Sequence, residues 1–171
     1  MTKPDLQAVP AAFKHYVDNV KDQDMMEALK DSNREFLALI KSLPEEKGTY
    51  AYAPGKWTIK EMLCHMQDAE RIFAYRALRF ARNDSTALPG FDENAYAPEA
   101  NAHSRTLAQL VRELETLRQT TIDLFAAFTP DMLQRKGKAS DKEVSVLNLG
   151  YIISGHETHH RKVLIERYLS K

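Results

Sequence analysis

The segment from Val144 to Leu169 is largely apolar, and two histidines fall on the face it must bury. At about 100° per residue, His156 and His160 project side by side, roughly 40° apart on one helix face. Leu149, Ile152, Ile153, Val163 and Leu164 make up the rest of that face. The histidines therefore occupy the stripe that points into a core. His159 lies at one edge of the stripe and Glu157 at the other. Two imidazoles one turn apart on a buried face carry a desolvation penalty unless something takes up their nitrogens. Either a divalent metal does so, or they are core histidines hydrogen-bonded to backbone or acids. A third inward histidine elsewhere would favour the metal.

Upstream, three more segments carry helical periodicity. From about Asp24 to Leu43, Met26, Leu29, Phe36, Leu37, Ile40 and Leu43 mark an amphipathic helix that Pro44 stops. Thr58-Ile59-Lys60-Glu61 reads as a capping box, opening a helix to about Arg82 with Met62, Met66, Ala69, Phe73, Ala77 and Phe80 as its stripe. Thr106-Leu107-Ala108-Gln109 is a second capping box, opening a helix to about Phe128 that reads as an apolar wall with no titratable residue in its centre. The last helix begins near Val144 or Ser145, with Ser145 as its cap. Four such helices and no convincing strand predict an all-α four-helix bundle, as one domain over residues 1–171.

The connections differ in kind. Phe13 to Val17 reads as a short helix or lead-in, and Glu45 to Trp57 as an ordered loop. Asn83 to Ala102 is too long for a tight turn, so it is expected to cross the fold or line a pocket. Asp131 to Glu143 reads as a polar connection. Gly150 and Gly155 each cost the last helix roughly 1 kcal/mol against alanine. Such small residues let another helix or a ligand come close.

His65 sits roughly 75° from the centre of its helix stripe, so it can face the bundle interior. Glu61 or Asp68 is then expected to accept from its second ring nitrogen. With His156 and His160 it makes three inward imidazoles, a set that leaves a fourth position for water or substrate, as in catalytic metal sites. His103 is expected at the surface, and His15 at the surface or in packing rather than as a ligand. His156-Glu157-x-x-His160 also reads as H-E-x-x-H, with Glu157 as the general base of a zinc peptidase. That motif wants a third ligand downstream, where little chain remains. Cys64 lies nearly opposite the stripe and is expected to point outward, exposed or packed on another subunit. It is neither ligand nor nucleophile for this site.

Composition narrows the partners. Lys+Arg and Asp+Glu are 24 each, so the net charge is zero and nothing asks for a polyanion such as nucleic acid. One cysteine excludes an intrachain disulfide framework. No stretch is long and apolar enough for a membrane span, and no signal-peptide pattern opens the chain. The expected location is the cytoplasm.

Gly55-Lys56-Trp57-Thr58-Ile59-Lys60-Glu61 through His65, Asp68-Ala69-Glu70-Arg71, Arg76-Ala77-Leu78-Arg79, Pro89-Gly90-Phe91-Asp92-Glu93 and Gly155-His156-Glu157-x-His159-His160 together resemble the DinB/YfiT-like superfamily. The resemblance implies a four-helix bundle of up-down-down-up connectivity and a metal triad falling on His65, His156 and His160. It further implies a metal-dependent transferase using a low-molecular-weight thiol on small electrophiles, linked to the stress response. A hydrolase of a small amide or ester and a non-catalytic metal-binding stress protein are the alternatives. Three imidazoles suit zinc, nickel or iron, and also copper. Trp57, Asp92 and Glu93 are candidates for the pocket rim. With outward Cys64, the resemblance also prompts the expectation of a homodimer.

Overall fold

The computed structural model describes residues 3–170. Four long helices form the bundle: α2 (Met25–Ile40), α3 (Ile59–Ala81), α5 (Leu107–Ala126) and α7 (Val146–Val163). Each starts where a side chain takes up free backbone N–H groups. Asp24 accepts from Met26 N at 3.0 Å, and Ser145 from Asn148 N at 3.1 Å. Both capping boxes are formed, Thr58 with Glu61 and Thr106 with Gln109. Before α2, α1 (Lys14–Val17) lies along α7.

The pairings around the bundle follow from which residues meet. The helices α2 and α3 each pack against both α5 and α7. Gly150 meets Met25, Glu157 meets Ser32 and Asn33, and Arg161 pairs with Glu35, so α2 and α7 run in the same sense. Gln67 donates to the Leu110 carbonyl near the start of α3 and α5, and Arg82 lies over Phe128 past their ends. His65 near the start of α3 meets His160 near the end of α7, so that pair is antiparallel. These pairings support the up-down-down-up order. The core divides into two clusters: Leu29, Phe73, Phe80 and Ile152 belong to one, Phe36, Met62, Leu110 and Leu164 to the other.

Four expectations are corrected. The segment read as a polar connection contains α6 (Pro130–Gln134) and an antiparallel hairpin, β1 (Lys136–Ala139) and β2 (Lys142–Ser145). Ser140 and Asp141 both have positive φ, as a type I′ turn requires, in a pair that lacks the usual glycine. The long loop after α3 holds a further helix, α4 (Glu93–Glu99), started by Asp92 accepting from Asn94 N and Ala95 N. Cys64 is buried, because Ala102, Leu107 and Val111 belong to the same apolar cluster on that flank of α3. Finally, α5 is not a purely apolar wall, since Arg118 lies at its centre and is 1% exposed. Among the described residues no helix is long and apolar enough to cross a membrane.

Candidate metal centre

The turn of α7 that carries His156 is held by a close approach. A Cβ on Gly155 would stand 2.1 Å from the carbonyl oxygen of Tyr16, so only glycine lets α1 lie there. The Tyr16 ring then meets His156 edge-on, with centroids 5.1 Å apart. Beyond Val163 the helix widens into π-type turns over Leu164–Leu169. From them Tyr168 donates its hydroxyl to the Trp57 carbonyl at 2.7 Å, tying down the loop before α3. The Trp57 ring in turn tilts over His65 at 4.7 Å.

The three histidines singled out in the sequence meet at this end of the bundle. His65 Nε2 lies 3.0 Å from His156 Nε2. His160 Nε2 lies 3.0 Å from the same atom. No two ligand atoms of the trio are more than 4.8 Å apart. Two ligands about 2.1 Å from one cation at near right angles stand about 3.0 Å from each other, so the donor set fits a single ion. One imidazole nitrogen cannot serve two such neighbours well through protons alone. Burial, then repulsion from its neighbours, holds His156 well below the ordinary imidazole range. His160 shifts the same way from burial, then from His65. Burial lowers His65 to about 4, with Glu93 working against that shift. All three rings are thus neutral at pH 7, the form in which imidazole binds a metal.

Glu61 and Asp68 do not serve His65 as expected. Glu61 caps its own helix through Thr58, and Asp68 faces Arg71 at 3.6 Å. His15 and His103 are exposed.

Two cavities flank the trio. One of about 310 Å³ is lined by Trp57, Tyr52, His159, His160 and Tyr168. One of about 140 Å³ reaches His65 and His156 between Phe73, Tyr16, Arg76 and Glu93. Trp57 and Glu93 therefore lie where a pocket rim was expected, whereas Asp92 is taken up in capping α4.

Beneath the trio runs a second polar cluster that sequence reasoning missed. Arg118 donates through Nε and Nη2 to both oxygens of Glu70, at 2.8 and 2.9 Å. Its Nη1 donates to Glu157 Oε2 at 2.6 Å. Ser32 and Asn33 also donate to Glu157. Glu157 is thereby removed from any general-base role at the histidines, and the peptidase reading of H-E-x-x-H fails on that geometry. The signal was present in the sequence. Arg118 falls four residues after Leu114 and seven before Phe125, on the apolar face itself.

Fold and site define a class, a four-helix bundle with three convergent imidazoles at one end. The chain belongs to the DinB superfamily, whose family profile matches residues 28–164. A relative from Oceanobacillus iheyensis, named "Putative metal-dependent hydrolase OB0413", is 26% identical over 125 residues, 71% of this chain and 70% of the relative. The fold is shared with YfiT from Bacillus subtilis at a TM-score of 0.76 and 15% identity, over 96% of this chain and 90% of that one. That protein is described as "a probable metal-dependent hydrolase with an unusual four-helix bundle topology".

Proposed function

We propose that this protein is a divalent-metal-dependent enzyme acting on a small molecule, with His65, His156 and His160 as the metal ligands. The observation that carries this reading is the meeting of three neutral Nε2 atoms, two of the separations being 3.0 Å. Zinc, nickel and iron all suit such a set. When bound, the cation activates water or a thiol and polarises an electrophilic carbonyl.

The chain's own residues supply the rest. Burial keeps the imidazoles unprotonated, and Trp57 packs on His65 to fix its ring. Glu93 shares the smaller cavity with His65. Cys64 is buried in the core cluster and lines neither cavity, so it is not the nucleophile.

Hydrolysis of a small amide or ester is the reading that the names of the two relatives support. Low-molecular-weight thiol transfer to an electrophile is favoured by a different observation: cavities on two sides of the trio leave room for two reactants. A purely structural metal would want a fourth protein ligand. The two candidates, Glu61 and Asp92, are both engaged as helix caps. Cytoplasmic residence rests on the sequence reading, and a link to the stress response and a homodimer rest on the resemblance alone, because Cys64 is interior. Light scattering at micromolar concentration tests the dimer, and a monomer there removes it.

Elemental analysis of untagged protein tests the ligand set. Near-stoichiometric metal is expected in the wild type and in His103→Ala, with most of it lost in His65→Ala, His156→Ala and His160→Ala. Equal retention in all of them would defeat the assignment. Turnover of small esters and amides without added thiol then selects hydrolysis, and turnover only with thiol selects transfer.

A further inference from the structure

Among the described residues the core holds two arginines, and only Arg118 forms ion pairs. Arg118 is 1% exposed and Arg76 is 3% exposed. Arg118 has two carboxylates. Arg76 uses Nη2 alone for its protein hydrogen bonds, to the Pro89 carbonyl at 2.8 Å and to Ser140 Oγ at 3.0 Å. Both partners are neutral, and among the described residues Arg76 forms no ion pair. Burial is the one influence on its pKa, and it acts downward, as for a cation without a counter-charge. A buried guanidinium carries a heavy desolvation penalty unless an anion meets it.

Arg76 also lines the cavity of about 140 Å³ that reaches His65 and His156. We infer that Arg76 is the anchor of an anion subsite beside the histidine trio, and that the substrate carries a carboxylate on a small apolar body. This inference deepens the proposed function and rests on that reading for the word substrate. The chemistry selects the class. With both Nη2 protons engaged by Pro89 and Ser140, the guanidinium still meets a carboxylate oxygen through single charge-assisted hydrogen bonds from its other N–H groups. One positive charge balances a monoanion, and Glu93 on the same cavity works against a dianion such as phosphate. Phe13, Phe73 and Phe91 wall the cavity, and Arg76 lies over the Phe73 ring at 5.7 Å, so the body that accompanies the carboxylate is apolar. The subsite would hold the substrate by one end and present its other end to the trio.

The test uses benzoate as probe and benzamide as its uncharged isostere, titrated by saturation-transfer NMR into zinc-loaded protein and into protein stripped with EDTA. Benzoate is expected to bind about tenfold or more tightly than benzamide in both preparations. Arg76→Gln is expected to remove that preference, Arg76→Lys to keep part of it, and Ser140→Ala, which loses a tether but keeps the cation, to leave it intact. Equal binding of the two probes to wild-type protein would overturn the subsite without any variant having to fold. Benzoate binding that disappears with EDTA and survives Arg76→Gln would also overturn it, since the carboxylate would then sit on the metal. A preference that survives EDTA and needs Arg76 supports the subsite even if elemental analysis finds no metal, so the two readings can fail separately.

Discussion

Glu157 and His156 are adjacent on α7, yet their side chains belong to clusters built on opposite terms. Glu157 enters a closed network with Arg118, Glu70, Ser32 and Asn33, where the charges are met by partners inside the protein. His156 enters an open one, where Nε2 atoms converge and protons alone leave them poorly satisfied. Nearby, His160 Nδ1 is buried without a hydrogen-bond partner among the described residues. The difference teaches how to separate architecture from function in a polar core. A buried group whose needs are met by its neighbours holds the fold together. A group whose needs are left over points to something the chain does not contain.

The sharpest way to break this comparison is to open the closed side. Arg118→Ala leaves Glu70 and Glu157 buried without their cation, and truncating one partner of such a network destabilises by about 3–5 kcal/mol. Urea unfolding should show that loss. A change within about 1 kcal/mol would mean that the network is dispensable and the contrast false.

The converse experiment closes the open side. Zinc at about a hundred times its Kd should stabilise the chelated protein by about 2.7 kcal/mol, provided it binds only the folded state. His65→Ala should abolish that gain while costing the metal-free protein much less than Arg118→Ala. Stabilisation by zinc that persists in His65→Ala would show that the cation binds elsewhere.

Both clusters depend on one seat for α7. Gly155→Ala pushes a methyl into the Tyr16 carbonyl and should destabilise by about 1–3 kcal/mol through forced displacement of α1. Thermal unfolding measures it. An unchanged Tm would mean that α1 moves freely and does not position His156.

The open side was the easier one to read from sequence, for a physical reason. A histidine on an apolar stripe violates the pattern: His156 and His160 do so outright, His65 lies at the margin of its own stripe, and the structure brings the three together. Caps were legible because Thr58 and Glu61, or Thr106 and Gln109, signal over three residues. The closed side was hidden because Arg118, Glu70 and Ser32 lie on separate helices and become partners only once the bundle forms. Arg118 stands among leucines, and its spacing from Leu114 places it on the inward face. Cys64 failed differently. Periodicity places a residue relative to its own helix stripe, but α3 is covered on more than one side, and Ala102 and Leu107 come from across a long connection. The hairpin after α6 has four residues per strand with lysines on both and only Ala139 and Val144 as apolar residues, a pattern too short and too polar to read as strands.

Acid separates the two clusters most finely. For a histidine whose folded pKa lies below its unfolded value, the unfolded chain binds a proton that the folded chain refuses. Its stabilising contribution is complete above the unfolded value and lost as pH falls toward the folded one. His65 runs from 6.5 to about 4, and His156 and His160 shift in the same direction. Glu157 shifts upward, mainly from burial, so the folded state favours its proton and acidification does not weaken that contribution. Stability of the chelated protein should therefore fall as pH drops below about 6.5, and the histidines should own the slope. His65→Gln, which removes one of the refused protons, should flatten the slope of unfolding free energy against pH by up to about one proton. A slope unchanged in that variant would assign the acid sensitivity to the carboxylates instead, and the division between a closed and an open polar core would have to be redrawn.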